Sequence, residues 1–227
     1  MKPCVIFDLD GTLADTSGDL IAAANVCFAQ MDLTAAQREM ARLDPTRDAG
    51  IAVRGGRRML TAGLERAGCY SDALVEAWYQ PLLRAYDSAL DVHSHFYPGA
   101  VAAVETLRRN GYATGICTNK PEAMAEKLMR ALGARDLFDA LIGADTLPTR
   151  KPDVAPFWAA VDQSGGDRKA ALLVGDSDTD RTTSANAGVP SILVTFSPEG
   201  CGVKDLTPEA TIDHFDELPA VVDALLR

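Results

Sequence analysis

The chain has 227 residues, and its 22 Lys+Arg against 32 Asp+Glu give a formal charge of −10. Hydrophobic residues make up 47% and charged residues 24%, ordinary globular usage that excludes disordered and linker-like chains. The acidic balance argues against nucleic-acid binding, which needs clustered Lys and Arg to displace counterions. The five cysteines (Cys4, Cys27, Cys69, Cys117, Cys201) lack the spacing of a zinc or redox motif. No apolar stretch approaches the ~18 residues of a membrane span, and the short run at 4–7 is no signal peptide. The expectation is a cytoplasmic enzyme in a reducing compartment, with no nucleic-acid or membrane partner.

Taken in order, residues 4–7 are four apolar residues in a row and predict a buried strand. From 16 to 92 there is no strand pattern. This stretch predicts four or five helices, with bounds at 19–30, 34–42, 57–67 and 71–88 and loops at Asp44-Pro45 and Gly55-Gly56. Thr16 and Asp19 have the spacing of a capping box and predict the start of the first helix. A return linker comes next, over 90–98. Helices over 99–110, 122–132, 154–163 and 178–187 then alternate with apolar runs at 113–117, 140–143, 171–174 and 191–194. Short strands separated by helices of about ten residues predict a doubly wound parallel α/β sheet, a Rossmann-like core. Gly111, Gly133 and Gly188 stand where helix stop signals belong. The expected organisation is a core over 1–15 and 93–227 with an inserted helical domain over 16–92.

In such a sheet, ligands collect beyond the carboxyl ends of the strands. The residues expected there are Asp8-Leu9-Asp10-Gly11-Thr12-Leu13, Thr118-Asn119-Lys120, Arg150-Lys151-Pro152-Asp153 and Gly175-Asp176-Ser177-Asp178-Thr179-Asp180. Carboxylates gathered in one cleft raise one another's pKa unless a cation joins them, and hard oxygen donors favour Mg²⁺. Asp8 and Asp10, two apart at the exit of a strand, can reach one small volume. That suits a nucleophile that attacks phosphorus and an acid/base that serves the leaving oxygen and then water.

These four segments, in this order, resemble the four motifs of the haloacid dehalogenase-like superfamily, and within it the phosphoglycolate phosphatase group. Tyr97-Pro98-Gly99 and Gly143 through Pro148 add to the likeness, which covers essentially the whole chain. The resemblance implies an α-helical cap for the insertion and a hydrolase of phosphoric monoesters that requires Mg²⁺. It implies Asp8 as nucleophile and metal ligand, and Asp10 as acid/base with its backbone carbonyl on the metal. Asp176 is the implied third ligand, Thr118 and the Asn119 backbone bind the phosphoryl group, and Lys151 neutralises charge. Thr12 and Asp180 are implied in support, and Asp178 is given no role. A missing Asp10 would mark a dehalogenase, and a cap lysine would mark phosphonate cleavage. Asp10 is present, and 16–92 contains no lysine. A sugar-phosphate phosphatase or mutase, or a non-catalytic phospho-aspartate signalling protein, stands as the rival reading.

Outside the motifs, His93 and His95 lie in the linker and are expected to be exposed. Trp78, Tyr79 and Tyr86 read as helix packing, Cys117 as a buried strand end, and Thr118 as a helix cap besides. The glycine pair Gly55-Gly56 lets the backbone turn and opens a helix, with Arg54, Arg57 and Arg58 beside it. Arginine forks suit a carboxylate, so Arg54, Gly55, Gly56 and Arg57 are the expected readers of a small carboxylated phosphate monoester such as 2-phosphoglycolate. The partner is a small phosphorylated metabolite, and the chain is expected to be a monomer or homodimer.

Overall fold

Alternating apolar runs and helices build a six-stranded parallel sheet in the computed structural model, which describes residues 1–198 and 200–226 without the side chain of Cys201. In chain order the elements begin with β1 (Lys2–Phe7), β2 (Ala14–Asp15), α1 (Ser17–Gln30), α2 (Ala35–Ala41), α3 (Ala49–Val53), α4 (Gly56–Arg66) and α5 (Asp72–Asp87). They continue with β3 (His95–Phe96), α6 (Ala100–Arg109), β4 (Ala113–Cys117), α7 (Glu122–Ala131), β5 (Ala140–Ile142) and α8 (Val154–Gln163). The chain closes with β6 (Gly166–Gly175), α9 (Asp178–Ala187), β7 (Ser191–Val194), β8 (Ala210–Ile212) and α10 (Leu218–Leu226). The sheet order is β5-β4-β1-β6-β7-β8. Phe7 pairs with Ile116 on one side and Val174 on the other, so the carboxyl ends of β1, β4 and β6 are level with one another. β1 is the central strand, and Cys4 through Phe7 are fully buried. Each large apolar side chain so buried contributes about 1.5–3 kcal/mol. The crevice between β4 and β6, beyond the end of β1, is the topological switch point.

The predicted strands and helices are present, with differences at their edges. β6 begins five residues earlier than the apolar run at 171–174, because Gly166 pairs with Lys2 although the residues between are polar and half exposed. β8 and α10 are additions: β8 is a three-residue edge strand, too short to stand out as an apolar run. Cys4, Cys27, Cys69 and Cys117 are free thiols. Among the described residues, no helix is long and apolar enough to cross a membrane.

The chain forms two compact units. One holds Met1–Asp15 and the chain from Phe96 onward; the other is helical and runs Thr16–His95. Within the helical unit α1 packs on α5 and α3, and α4 on α5. The expected capping box at Thr16 is not formed. Thr16 is the N-cap residue of α1 but makes no side-chain cap bond. The Asp19 carboxylate instead accepts the backbone N–H of His93 and Ser94 (2.8–3.0 Å) and the Ser94 hydroxyl (2.7 Å). Donors from a distant segment outcompete the local cap. α3 is the fifth helix of this unit, beside the four whose bounds the sequence gives, and is organised by one buried carboxylate. Asp48, 1% exposed, accepts from Arg66 at 2.6 and 2.9 Å, from Arg47 at 3.0 Å, and from the Asp44 backbone at 2.8 Å.

These donors favour the ionised form, so Arg66 first of all holds the Asp48 carboxyl well below its ordinary value of 3.8. A depressed folded-state pKa contributes stability that is full above the ordinary value and is lost as pH falls through the folded one. Asp48→Asn is therefore expected to cost about 1–3 kcal/mol at neutral pH. The gap between variant and parent should narrow as pH drops below 3.8. Denaturant titration at several pH values measures both.

Candidate active site

The site is assembled from the segments that leave the carboxyl ends of β1, β4 and β6. After β1 the chain turns sharply: Thr12, Leu13 and Ala14 all direct their N–H groups to the Leu9 carbonyl, and Gly11 N–H donates to Ala14. Gly11 has φ +81, the left-handed region, and a Cβ there would overlap the Asp176 carboxylate. Glycine thus lets the β1 turn touch the acid at the end of β6. The turn also buries Thr12, whose hydroxyl donates to Asp176 Oδ1 (3.1 Å).

Three carboxylates, Asp8, Asp176 and Asp180, have oxygens within 4.8 Å of one another. Lys151, almost wholly buried, donates to Asp180 Oδ1 at 2.6 Å and lies 3.0 Å from Asp8 Oδ1. Asp8 Oδ1 also accepts the Leu9 N–H (2.7 Å). Asp180 closes a capping box at the start of α9: its Oδ2 accepts the Ser177 hydroxyl (2.6 Å) and the Asp176 and Ser177 N–H groups. Gly175 permits this, since a Cβ there would overlap the Asp180 side chain. Burial and its neighbouring acids push Asp8 up to about 6, against the pull of Lys151. Burial, then Asp180 and Asp8, raise Asp176 well above its ordinary value. For Lys151 burial opposes the charge, yet Asp180 and Asp8 outweigh it and raise its pKa.

Such a cluster fits a divalent cation. Burial and mutual repulsion penalise the ionised acids, and a cation relieves both. The donors are carboxylate oxygens, the set that suits Mg²⁺. Asp180 is engaged through both oxygens, with Lys151 and with the α9 cap. Among the described residues, the Tyr97 hydroxyl is buried without a hydrogen-bond partner, and Asp15, Asp176 and Asp10 are among the charges that act on it.

The remaining expected residues surround this cluster or lie apart from it. Thr118 is buried at the end of β4. Its Oγ1 accepts the Lys120 N–H (3.1 Å) in a local turn rather than capping α7, whose N-cap is Pro121. Asn119 is exposed, and its Nδ2 donates to the Lys151 carbonyl (3.0 Å), tying the β4 loop to the lysine loop. Asp10 is 17% exposed and accepts from the Lys120 ammonium at 2.8 Å, a pairing the sequence did not announce. Asp178 is exposed, and burial pushes the Cys117 thiol up to about 12, which keeps it protonated.

In the helical unit, Gly55 has φ +94 and precedes α4, and Arg54 is exposed. Arg57 departs from expectation. Both its terminal nitrogens bond the Glu76 carboxylate, and its guanidinium lies 4.1 Å from the Tyr79 ring centroid. Its fork is occupied by α5, so Arg57 is a poor candidate for a substrate carboxylate.

Residues 5–194 match the family model of the haloacid dehalogenase-like hydrolases. A phosphoglycolate phosphatase of Mesorhizobium japonicum is 38% identical, over 100% of this chain and 97% of that protein. One from Rhodospirillum rubrum is 36% identical, over 96% of this chain and 90% of its own length. The structure of a haloacid dehalogenase-like hydrolase from Streptococcus pneumoniae shares the fold, with a TM-score of 0.73 at 18% identity, covering 97% of this chain and 98% of that one. The chain belongs to the haloacid dehalogenase-like hydrolases and is a phosphoric monoester hydrolase.

The close approach of the β1 turn to Asp176 generates a prediction. Gly11→Ala forces a left-handed alanine, costing about 1–2 kcal/mol, and displaces the Asp176 carboxylate. The variant should fold by circular dichroism yet lose on the order of 10² in turnover of 4-nitrophenyl phosphate, since small displacements at a reacting centre are that costly.

Proposed function

We propose that the chain is a Mg²⁺-dependent phosphatase acting through a phospho-aspartate at Asp8, with 2-phosphoglycolate as its substrate. The observation that carries this reading is the buried Lys151 ammonium shared by Asp8 and Asp180, with Asp176 alongside and Asp10 two residues on. A carboxylate in that setting has its charge balanced but keeps an oxygen for attack. Asp8 and Asp176, with the Asp10 backbone carbonyl, are the groups proposed to hold the ion. When bound, Mg²⁺ neutralises charge on the phosphate and on the acids around it.

Asp8 attacks phosphorus, and the bond to the ester oxygen breaks. Asp10 gives its proton to the departing alkoxide. The acyl phosphate is then attacked at phosphorus by water, whose proton Asp10 takes, releasing phosphate and restoring the Asp8 carboxylate. The Thr118 hydroxyl and the Asn119 backbone N–H are assigned to the phosphoryl oxygens, and Lys151 to the charge on Asp8 and the phosphate. Asp180 holds Lys151, and Thr12 holds Asp176. Those residues recognise only the phosphoryl group. On sequence grounds, choice among monoesters is assigned to the helical unit as a cap, with Arg54 beside Gly55-Gly56 as its carboxylate reader. The names of the relatives support the same substrate.

Two measurements test the reading. Excess EDTA should silence the enzyme and Mg²⁺ restore it, while Ca²⁺ inhibits through its larger, more flexible shell; undiminished activity in chelator contradicts the metal requirement. Arg54→Ala should lower kcat/KM for 2-phosphoglycolate by roughly 1.5–3 kcal/mol, the value of a hydrogen bond to a charged group. The same change should leave 4-nitrophenyl phosphate, which has no carboxylate, nearly untouched. Equal losses on both substrates would assign Arg54 to the folding of the helical unit instead.

A further inference from the structure

We propose that Lys120 is the positioning residue of Asp10, an inference that rests on the reading of Asp10 as the acid/base. Lys120 comes directly after Thr118-Asn119 at the end of β4, and its side chain is 3% exposed. An ammonium taken out of water is costly unless an anion meets it, so a lysine this deep is expected to have a fixed partner. Asp10 Oδ1 meets this ammonium at 2.8 Å.

Both ends of Lys120 are fixed. Its backbone N–H donates to Thr118 Oγ1 (3.1 Å), and its carbonyl accepts the Ala144 N–H (2.9 Å). The β4 loop is further tied to the Lys151 loop through Asn119. Asp10 lies opposite, on a turn whose backbone is pinned by the Leu9 carbonyl, yet its side chain projects to a partly exposed position. The turn fixes where Asp10 starts, and the lysine fixes where its carboxylate ends. The two acids proposed to react, both just beyond β1, are thus each held by a buried lysine: Asp8 by Lys151 and Asp10 by Lys120. Proton transfer requires the acid within hydrogen-bond reach of the ester oxygen and then of water, so holding this carboxylate in place serves both half-reactions. Lys120 is assigned to the Asp10 carboxylate and given no role on the reacting atoms. It acts through Asp10.

A double-mutant cycle on kcat with 2-phosphoglycolate, in the Mg²⁺-loaded enzyme, tests this. Asp10→Asn alone should cost on the order of 10²–10⁴ in kcat, the contribution of general acid/base catalysis. Lys120→Met, which keeps the length of the side chain, should lower kcat about 10–100-fold with little change in KM, the usual cost of losing an outer partner of a reactive group. In the Asp10→Asn background the same change should cost less than about twofold, because the group it positions is already disabled. Lys120→Arg keeps the buried charge, should recover part of the loss, and runs the same cycle if Lys120→Met does not fold. Equal factors in both backgrounds, or no loss in the parent, overturn the assignment of Lys120 alone. Parental kcat in Asp10→Asn overturns the reading of Asp10 instead.

Discussion

Everything at this site depends on one buried ammonium. Asp8, Asp176 and Asp180 converge to within a few ångströms of one another, where three ionised carboxylates would repel strongly in a medium that screens poorly. Lys151 sits against two of them and makes the cluster tenable. Removing one partner of such a buried group leaves the others uncompensated, so the network stands or falls together. The remaining penalty falls on Asp8 and Asp176, whose pKa values are raised by burial and by their acidic neighbours. Acids held in this state fit a divalent cation, which would relieve both penalties.

The sheet makes the convergence possible at little conformational cost. β1 lies between β4 and β6, so residues 8, 118 and 176, far apart in the chain, leave adjacent strands at one level. Glycines at 11 and 175 remove the atoms that would keep the acids apart. The α9 cap then uses Asp180 twice, once to start the helix and once to hold Lys151. Folding and charge balance share the same carboxylate, and its substitution should disturb both.

Much of this was legible in the sequence because strand-end position is a local signal. An apolar run that ends in Asp8-Leu9-Asp10-Gly11 announces both the strand and the residues it delivers, and the same holds for Thr118 and Asp176. The features that escaped depend on partners distant in sequence. Thr16 and Asp19 have capping-box spacing, but Asp19 is taken by donors 74 and 75 residues away. Arg57 looked like a carboxylate reader until Glu76, 19 residues on, occupied it. α3 is only five residues long and is organised by Arg66 reaching Asp48, which no periodicity reveals. Lys120 stood in plain view after Thr118-Asn119, but a buried lysine and a solvated one read alike until the Asp10 contact is seen.

The central claim is that the Asp8 carboxylate becomes covalently bonded to phosphorus during turnover. Trapping tests it most directly: the enzyme is mixed with substrate and Mg²⁺, quenched within one turnover, and reduced with borohydride before peptide mass spectrometry. The account predicts homoserine in place of Asp8, formed by reduction of the acyl phosphate, and only when substrate is present. Phosphate release with Asp8 unmodified at every quench time, or modification at another carboxylate, would contradict it.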